Sequence, residues 1–349
     1  MKKNIFILGN FGYYSNDLNG QTMRTRTIYK SLNRYLNDSK YNIKFTDTSV
    51  KGSKIKVLMN YLRGLKYWFT SKSIILLPAQ KAIKYVVPLF YYVNTILKRK
   101  IHFIAIGGWL RDFLDENNNY TKYFQKMNTI YVQTKSLKKK LENKGLNNVI
   151  HFPNFRIYDD HDIEIKEIDE VKKVVFFSRV IKAKGIELAV SAINKINKER
   201  EQKIELYIYG PVGSDYLDDF NKLKQSSPFI RYNGVLEPEK IISELSIYDF
   251  MIFPTYYEGE GFPGTILDSM SAGVPVIASD WKYNSEIIKD EFTGLLFKSQ
   301  NLDELIQKMN LLIRNTSLIN QMKRNCLNES KKYSESIVMP ELLGKLTEK

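Results

Sequence analysis

Glu260 and Asp268 stand eight residues apart in the stretch FPTYYEGEGFPGTILDSMSAGVPVIAS, residues 253–279. Glu260 precedes a helix-like run and can accept hydrogen bonds from hydroxyl groups. The backbone around Gly261, Phe262, Gly264 and Thr265 offers N–H donors to the same space, except at Pro263, which has none. Asp268 lies about one turn into the helix, facing that crevice. A helix N-terminus adds free donors and the positive end of the macrodipole. Upstream, Arg179 and Lys184 in SRVIKAKGIE follow an apolar run, and Gly185 opens a helix. Arginine presents a planar fork to phosphate oxygens and lysine a compact charge. A phosphate grip and a solvated charge pair both fit these two residues, and the GxxxxGK[ST] pattern is absent. Between them and the acids lies Gly210-Pro211-Val212-Gly213, a turn of small residues that lets a flat base approach the backbone. Two acids could also be a glycosidase pair, which needs facing carboxyls with the sugar between them. Glu260 and Asp268 come from one loop–helix segment at different depths, which suits two grips on one ligand better.

The elements that must position these groups alternate. Residues 174–178, 204–209, 230–233, 250–254 and 274–278 read as strands, and 186–197, 216–224, 238–245, 266–272 and 302–314 as helices. That order predicts a parallel sheet with helices on both faces. Residues 4–8 form an earlier strand, followed by the glycine-bearing loop GNFGYYSNDLNGQ and a helix over 22–36. This loop is not the GxGxxG dinucleotide fingerprint, and an ordinary βα loop fits it as well as a nucleotide-binding one. Strands over 42–46, 74–78, 101–106, 130–133 and 149–152 complete a first half, with Gly107-Gly108-Trp109 closing one of them. Residues 152–173 turn polar and acidic and read as an interdomain crossing. Asp159, Asp160, His161 and Asp162 fall there and read as a solvated linker face rather than a metal cluster. The tail, 319–333 and 336–349, looks helical.

The charge is segregated. Residues 1–150 hold 27 Lys/Arg against 7 Asp/Glu, whereas the chain as a whole is +15, so the remainder is slightly acidic. The first half is therefore expected to meet an anionic surface. Two stretches combine basic with apolar and aromatic residues: KIKVLMNYLRGLKYWFT at 54–70, and 79–100, which carries Pro88 and ends in Lys98-Arg99-Lys100. Core packing explains either one alone; both together also fit a membrane surface. No window reaches the roughly 18 apolar residues that span a bilayer, and the run at 5–8 is shorter than a signal-peptide core. The lone Cys326 rules out an internal disulfide and fits a reducing compartment. The three histidines, His102, His151 and His161, show no zinc-ligand spacing.

Taken in order, Ser178-Arg179…Lys184-Gly185, Glu260-Gly261-Phe262-Pro263…Asp268 and Ala272-Gly273-Val274-Pro275 resemble the retaining glycosyltransferases of the two-Rossmann (GT-B) type, in particular the family-4-like group. Phe152-Pro153-Asn154, Asn233-Gly234-Val235 and Gly294-Leu295-Leu296 echo the same pattern. The resemblance is strong over the second half and weaker over residues 1–153. It implies that Arg179 and Lys184 hold the donor diphosphate and stabilise its charge as it leaves, and that Glu260 binds the donor sugar. With those three as catalytic residues, the implied donor contacts are Gly20, Gln21, Gly210, Pro211, Val235, Gly261, Phe262, Pro263, Gly264, Thr265 and Asp268, the last on the ribose hydroxyls. Gly108 and Trp109 would meet the acceptor, and Lys98, Arg99 and Lys100 the membrane. The sequence departs from the pattern at Asp268, where relatives carry the longer Glu. The histidine that many of them keep on the acceptor side has no match.

The expected fold is α/β, two Rossmann-like domains facing each other across a cleft, with a helical tail crossing back. The expected divisions are an acceptor domain over 1–153, a crossing over 154–172, a donor domain over 173–333 and a terminal helix over 334–349 on the first domain. The expected activity moves a sugar, with retention, from a nucleotide-sugar donor (UDP ahead of GDP) to a lipid-linked or saccharide acceptor. The expected setting is bacterial envelope or capsular polysaccharide synthesis. The protein is placed in the cytoplasm, peripheral at the inner membrane face, with no cofactor, metal or nucleic acid. The alternatives are a sugar-nucleotide epimerase of the same architecture, which would turn over donor without acceptor, and a non-catalytic nucleic-acid-binding protein. No nucleic-acid-binding motif supports the latter.

Overall fold

The computed structural model describes residues 3–14, 19–36, 40–157 and 163–348. Asp159, Asp160, His161 and Asp162 lie outside the described residues. The chain forms two compact units: one takes residues up to Ile157 together with Glu335–Lys349, the other runs from Tyr158 to Ser334.

In the first unit the order is β1 (Lys3–Gly9), α1 (Gly20–Leu36), β2 (Tyr41–Asp47), α2 (Lys54–Thr70), β3 (Ser73–Leu77), α3 (Ile83–Leu97), β4 (Lys100–Ile104), α4 (Leu110–Glu116), α5 (Thr121–Gln125), β5 (Thr129–Val132), α6 (Lys135–Glu142) and β6 (Val149–His151). Six parallel strands lie in the order β2-β1-β3-β4-β5-β6. Strands covered on both faces read as unbroken apolar runs, and β3, SIILL, is buried at every position. Asn19 caps α1, its Oδ1 accepting from the N–H groups of Gln21 and Thr22. Helix α3 runs through Pro88. Proline cannot donate to the carbonyl four residues back, and here the Lys84 carbonyl accepts from the Tyr120 hydroxyl at 3.1 Å. Arg24, buried in α1, ties down the end of this unit. Its guanidinium donates to Pro153 O (2.6 Å) and Asn154 Oδ1 (3.2 Å) and lies over the rings of Phe152 and Phe155.

The second unit contains β7 (Lys173–Phe177), α7 (Ile186–Lys198), β8 (Glu205–Tyr209), α8 (Leu217–Gln225), β9 (Ile230–Tyr232), α9 (Ile241–Leu245), β10 (Phe250–Phe253), α10 (Gly264–Ser271), β11 (Val276–Asp280), α11 (Asn284–Ile287), β12 (Gly294–Lys298), α12 (Leu302–Arg314) and α13 (Thr316–Ser330). Its six parallel strands are ordered β12-β11-β10-β7-β8-β9. The period of two sends alternate residues into two cores. Val174 and Phe176, Leu206 and Ile208, Phe250 and Ile252 enter one, while Val175, Tyr209, Met251 and Phe253 enter the other.

A last helix, α14 (Glu335–Thr347), belongs to the first unit. Val338, Met339, Leu342 and Leu346 are buried in the core built by Ile5, Ile7, Ile28 and Leu32. Arg34 of α1 pairs with Glu335 at 2.8 Å. Among the described residues no helix is long and apolar enough to cross a membrane.

Candidate functional site

In the second sheet the chain leaves β7 to one side through β8 and β9, then returns to β7's other flank with β10. Neighbouring loops that depart in opposite directions open a crevice at the carboxyl ends of the strands, where such sheets bind ligands. The loops after β7 and β10 carry Arg179 and Lys184, and Glu260. Strand order therefore brings together residues that are far apart in sequence.

Two glycines let the loops approach. Gly185, at φ +76°, leaves no room for a side chain: a Cβ would come within 2.1 Å of the Pro254 carbonyl oxygen. Gly210, at φ +136°, lies against Ser178 in the same way, at 1.9 Å. Both φ values fall in the region glycine adopts without penalty. Hydrogen bonds then knit the strand ends. Tyr256 N–H donates to Ala183 O (2.9 Å), Val180 N–H to Pro211 O (2.9 Å) and Gly210 N–H to Gly234 O (2.7 Å). The Thr265 hydroxyl donates to Phe177 O and so pins the first turn of α10 to the end of β7.

Within this frame the Lys184 ammonium donates to both carboxylate oxygens of Glu260, the contact to Oε2 measuring 3.1 Å. Both side chains are buried. The ammonium also lies 5.2 Å from the ring centres of Phe253 and Tyr257. Arg179 is half-buried, with its guanidinium 5.2 Å from the same Tyr257 ring. Among the described residues that guanidinium has no hydrogen-bond or ion-pair partner, so its fork of donors is available to an anion. The arrangement is a fixed, neutralised pair beside an uncommitted cation.

The remaining candidates surround this core. Gly261, Phe262 and Pro263 are buried, Phe262 with its ring edge-on to Tyr333. Pro263 is the extended residue before α10, and Gly264 begins it. Asp268 is buried on α10, only 6% exposed. Gly210, Pro211 and Val235 stand side by side at the ends of β8 and β9, with Pro211 and Val235 exposed. Beneath them the Tyr209 hydroxyl bonds Glu244 (2.5 Å) and Tyr248 (2.8 Å), and accepts from Asn233 Nδ2 at 2.8 Å. Burial, reinforced by Glu244, pushes the Tyr209 hydroxyl's pKa upward, so it stays a neutral donor. Neither Tyr257 nor this network stands out from the sequence. The only signal for Tyr257 there is a pair of tyrosines between a strand end and an acid.

In the first unit, the Gln21 side chain donates to Leu77 O (3.2 Å) and Pro78 O (3.4 Å) where β1 and β3 diverge. Gly20 beside it is exposed, with open space to 4 Å around the point a Cβ would occupy. Gly108 and Trp109 follow β4. The Trp109 indole is buried, its N–H donating to Ile106 O at 2.7 Å, and Gly107 N–H donates to Gln133 Oε1 at 2.9 Å. Of the basic triplet, Lys98 is exposed, Arg99 donates to Phe69 O (3.0 Å) and Lys100 to Glu348 O (2.9 Å). Among the described residues no three His, Cys, Asp or Glu side chains gather as a metal site.

Residues 159–329 match the family described as glycosyl transferases group 1. An uncharacterized glycosyltransferase of Methanocaldococcus jannaschii is 27% identical over 185 residues, 50% of this chain and 46% of that protein. The N,N'-diacetylbacillosaminyl-diphospho-undecaprenol alpha-1,3-N-acetylgalactosaminyltransferase of Campylobacter jejuni is 29% identical over 98 residues, 28% of this chain and 26% of that protein. The matched stretches thus span less than half the length of these relatives. Among solved structures, HepE of Anabaena in complex with UDP superposes with a TM-score of 0.76 at 13% identity, covering 99% of each chain. That likeness shows the fold to be of the two-Rossmann, GT-B kind. The family likeness thus lies over residues 159–329, and the likeness of fold extends over the whole chain.

Proposed function

We propose that the protein is a retaining glycosyltransferase. It would move a sugar from a nucleotide-sugar donor, UDP-linked ahead of GDP-linked, to a lipid-linked or saccharide acceptor. The observation that carries this reading is the uncommitted Arg179 guanidinium beside the buried Lys184–Glu260 pair, at the point where the second sheet reverses direction. An uncommitted guanidinium beside a fixed, neutralised pair, ahead of a helix N-terminus, suits a diphosphate that gains charge as it leaves. In the transfer, the bond between the sugar's anomeric carbon and the diphosphate oxygen breaks, and the acceptor oxygen bonds that carbon. The acceptor proton passes to the departing phosphate, so no protein nucleophile is needed. Glu260 would grip the sugar, Asp268 the ribose, and the shelf of Gly210, Pro211 and Val235 the base. Gly20 and Gln21 are proposed as further donor contacts, and Gly108 and Trp109 as acceptor contacts.

The Campylobacter relative, whose name specifies a diphospho-undecaprenol-linked acceptor, and the UDP-bound HepE structure support this choice of substrates. The setting we propose is envelope or capsular polysaccharide synthesis at the inner face of the bacterial membrane, without a metal cofactor. The test is a melting-temperature screen against nucleoside diphosphates. UDP should raise the melting temperature, and Arg179→Ala should abolish that rise while leaving the ligand-free protein folded. If no nucleotide shifts the transition, the donor site is wrongly placed.

A further inference from the structure

Helices α2 and α3 carry apolar residues on the side away from their own unit. The positions of α2 that face inward are Asn60, Gly64 and Trp68. Gly64 seats the helix closely on β2, since a Cβ there would come within 2.9 Å of Thr46 Oγ1. On the opposite side Leu58, Leu62, Leu65 and Phe69 are 43–57% exposed, with Ile55 and Met59 beside them. In α3 the inward positions are Ile83, Val87 and Phe90. Tyr85, Leu89, Tyr92 and Ile96, 53–82% exposed, repeat the steps of four, three and four residues seen in α2. Such steps keep side chains on one helix face.

Both helices follow right-handed crossovers in the same direction along the sheet, β2 to β3 and β3 to β4, which places them on one face of it. They touch: Trp68 stacks on Phe90 with ring centres 3.9 Å apart. The two outer stripes therefore form one surface. Between Asp47 and Asp112 the chain has no acidic residue and twelve Lys/Arg, among them Lys54, Lys56, Arg63, Lys66, Lys84 and Lys98 on or bordering these helices.

We propose that this surface docks in-plane on an anionic lipid membrane, the two stripes entering the interface while the lysine and arginine heads stay at phosphate level. A second copy of the chain is the poorer occupant, because two surfaces with no acidic residue would meet with like charges opposed. Of Lys98, Arg99 and Lys100, the last two are held by backbone carbonyls, so the contact centres on the stripes rather than on that triplet. The proposal rests on the membrane setting of the proposed function but not on the transfer reaction.

The experiment is flotation with vesicles of phosphatidylglycerol and phosphatidylcholine, against phosphatidylcholine alone, without donor or acceptor. Wild-type protein should float with the anionic vesicles. The double variant Leu62→Asp, Leu89→Asp should lose at least tenfold of the bound fraction while staying folded with a cooperative melting transition, since each side chain is half exposed and outside its unit's core. Tryptophan emission from Ile96→Trp should be quenched by lipids brominated near the headgroup. Undiminished flotation of a folded double variant overturns the proposal. So does salt-reversible binding with no quenching, or a dimer that the same aspartates dissolve without any vesicle binding. Loss of sugar transfer with flotation intact counts against the proposed reaction and leaves this surface standing.

Discussion

The Lys184 ammonium donates to both carboxylate oxygens of Glu260, 76 positions along the chain, and neither side chain is more than a tenth exposed. Taking either partner away leaves a buried charge without its counter-ion, which costs about 3–5 kcal/mol. Replacing both by apolar groups of similar volume is often neutral. Lys184→Met and Glu260→Leu should each lower the melting temperature of the second unit by roughly 10 °C, and the double variant by clearly less. Calorimetry of the four proteins checks it. Equal, additive losses would show that the pair is not energetically coupled. All three variants should lack transfer activity.

The two tight glycines predict a contrast with a third. Gly185→Ala would push a methyl group into the Pro254 carbonyl at a positive φ, costing roughly 2–4 kcal/mol. It should also abolish nucleotide-dependent stabilisation by parting the loops after β7 and β10. Gly20→Ala meets nothing at the start of α1 and should leave stability unchanged or slightly raised. If its kcat/KM for transfer nevertheless falls, Gly20 is needed for close approach of a ligand.

Tyr209 links three groups beneath the exposed shelf at the ends of β8 and β9. Tyr209→Phe removes those bonds with little change of shape, and should cost about 1–2 kcal/mol. Nucleotide affinity should fall several-fold, because Gly210 follows directly in the chain. An unchanged dissociation constant, read by isothermal titration, would show that the network supports only the fold.

His102 predicts a pH dependence confined to the first unit. It is buried in β4, neither ring nitrogen has a partner among the described residues, and burial lowers its pKa to about 4. The unfolded chain binds the proton near pH 6.5, so below that pH protonation favours unfolding. The neutral form's contribution is complete above about 6.5 and is lost as pH falls toward 4, amounting to about 3 kcal/mol. His102→Leu should flatten the melting-temperature profile over that window. A wild-type profile that is already flat there would refute the assignment.

Much of this was legible in the chain. The strict alternation after residue 173 announced a second parallel sheet, and Arg179, Lys184 and Glu260 stood out because each follows a strand. What could not be read was that Lys184 and Glu260 bond each other. That depends on β10 returning to pair with β7, and strand order is not written in local periodicity. Nor is it written there that the Lys84 carbonyl, left without its helical donor by Pro88, is met by the hydroxyl of Tyr120, outside the local pattern. Helices α4 and α5 escaped notice because they are short and the Asn117-Asn118-Asn119 run between them breaks the helical period. The outward apolar stripes were visible only as composition, because a sequence shows that a helix has an apolar face and not which way it points.

The placement of α14 sets an order on biosynthesis. A ribosome releases residues 1–157 long before it makes Val338, Met339, Leu342 and Leu346, which close that unit's core. At about 5–20 residues per second the delay is roughly 10–40 s. During that interval the first unit waits with an apolar face uncovered, and the second unit's own core is closed by Ile319 and Met322 of α13 only shortly before α14 is made. The earlier-synthesised unit thus stays incomplete for longest after its first strands are made, and it is the one a nascent-chain chaperone would have to protect.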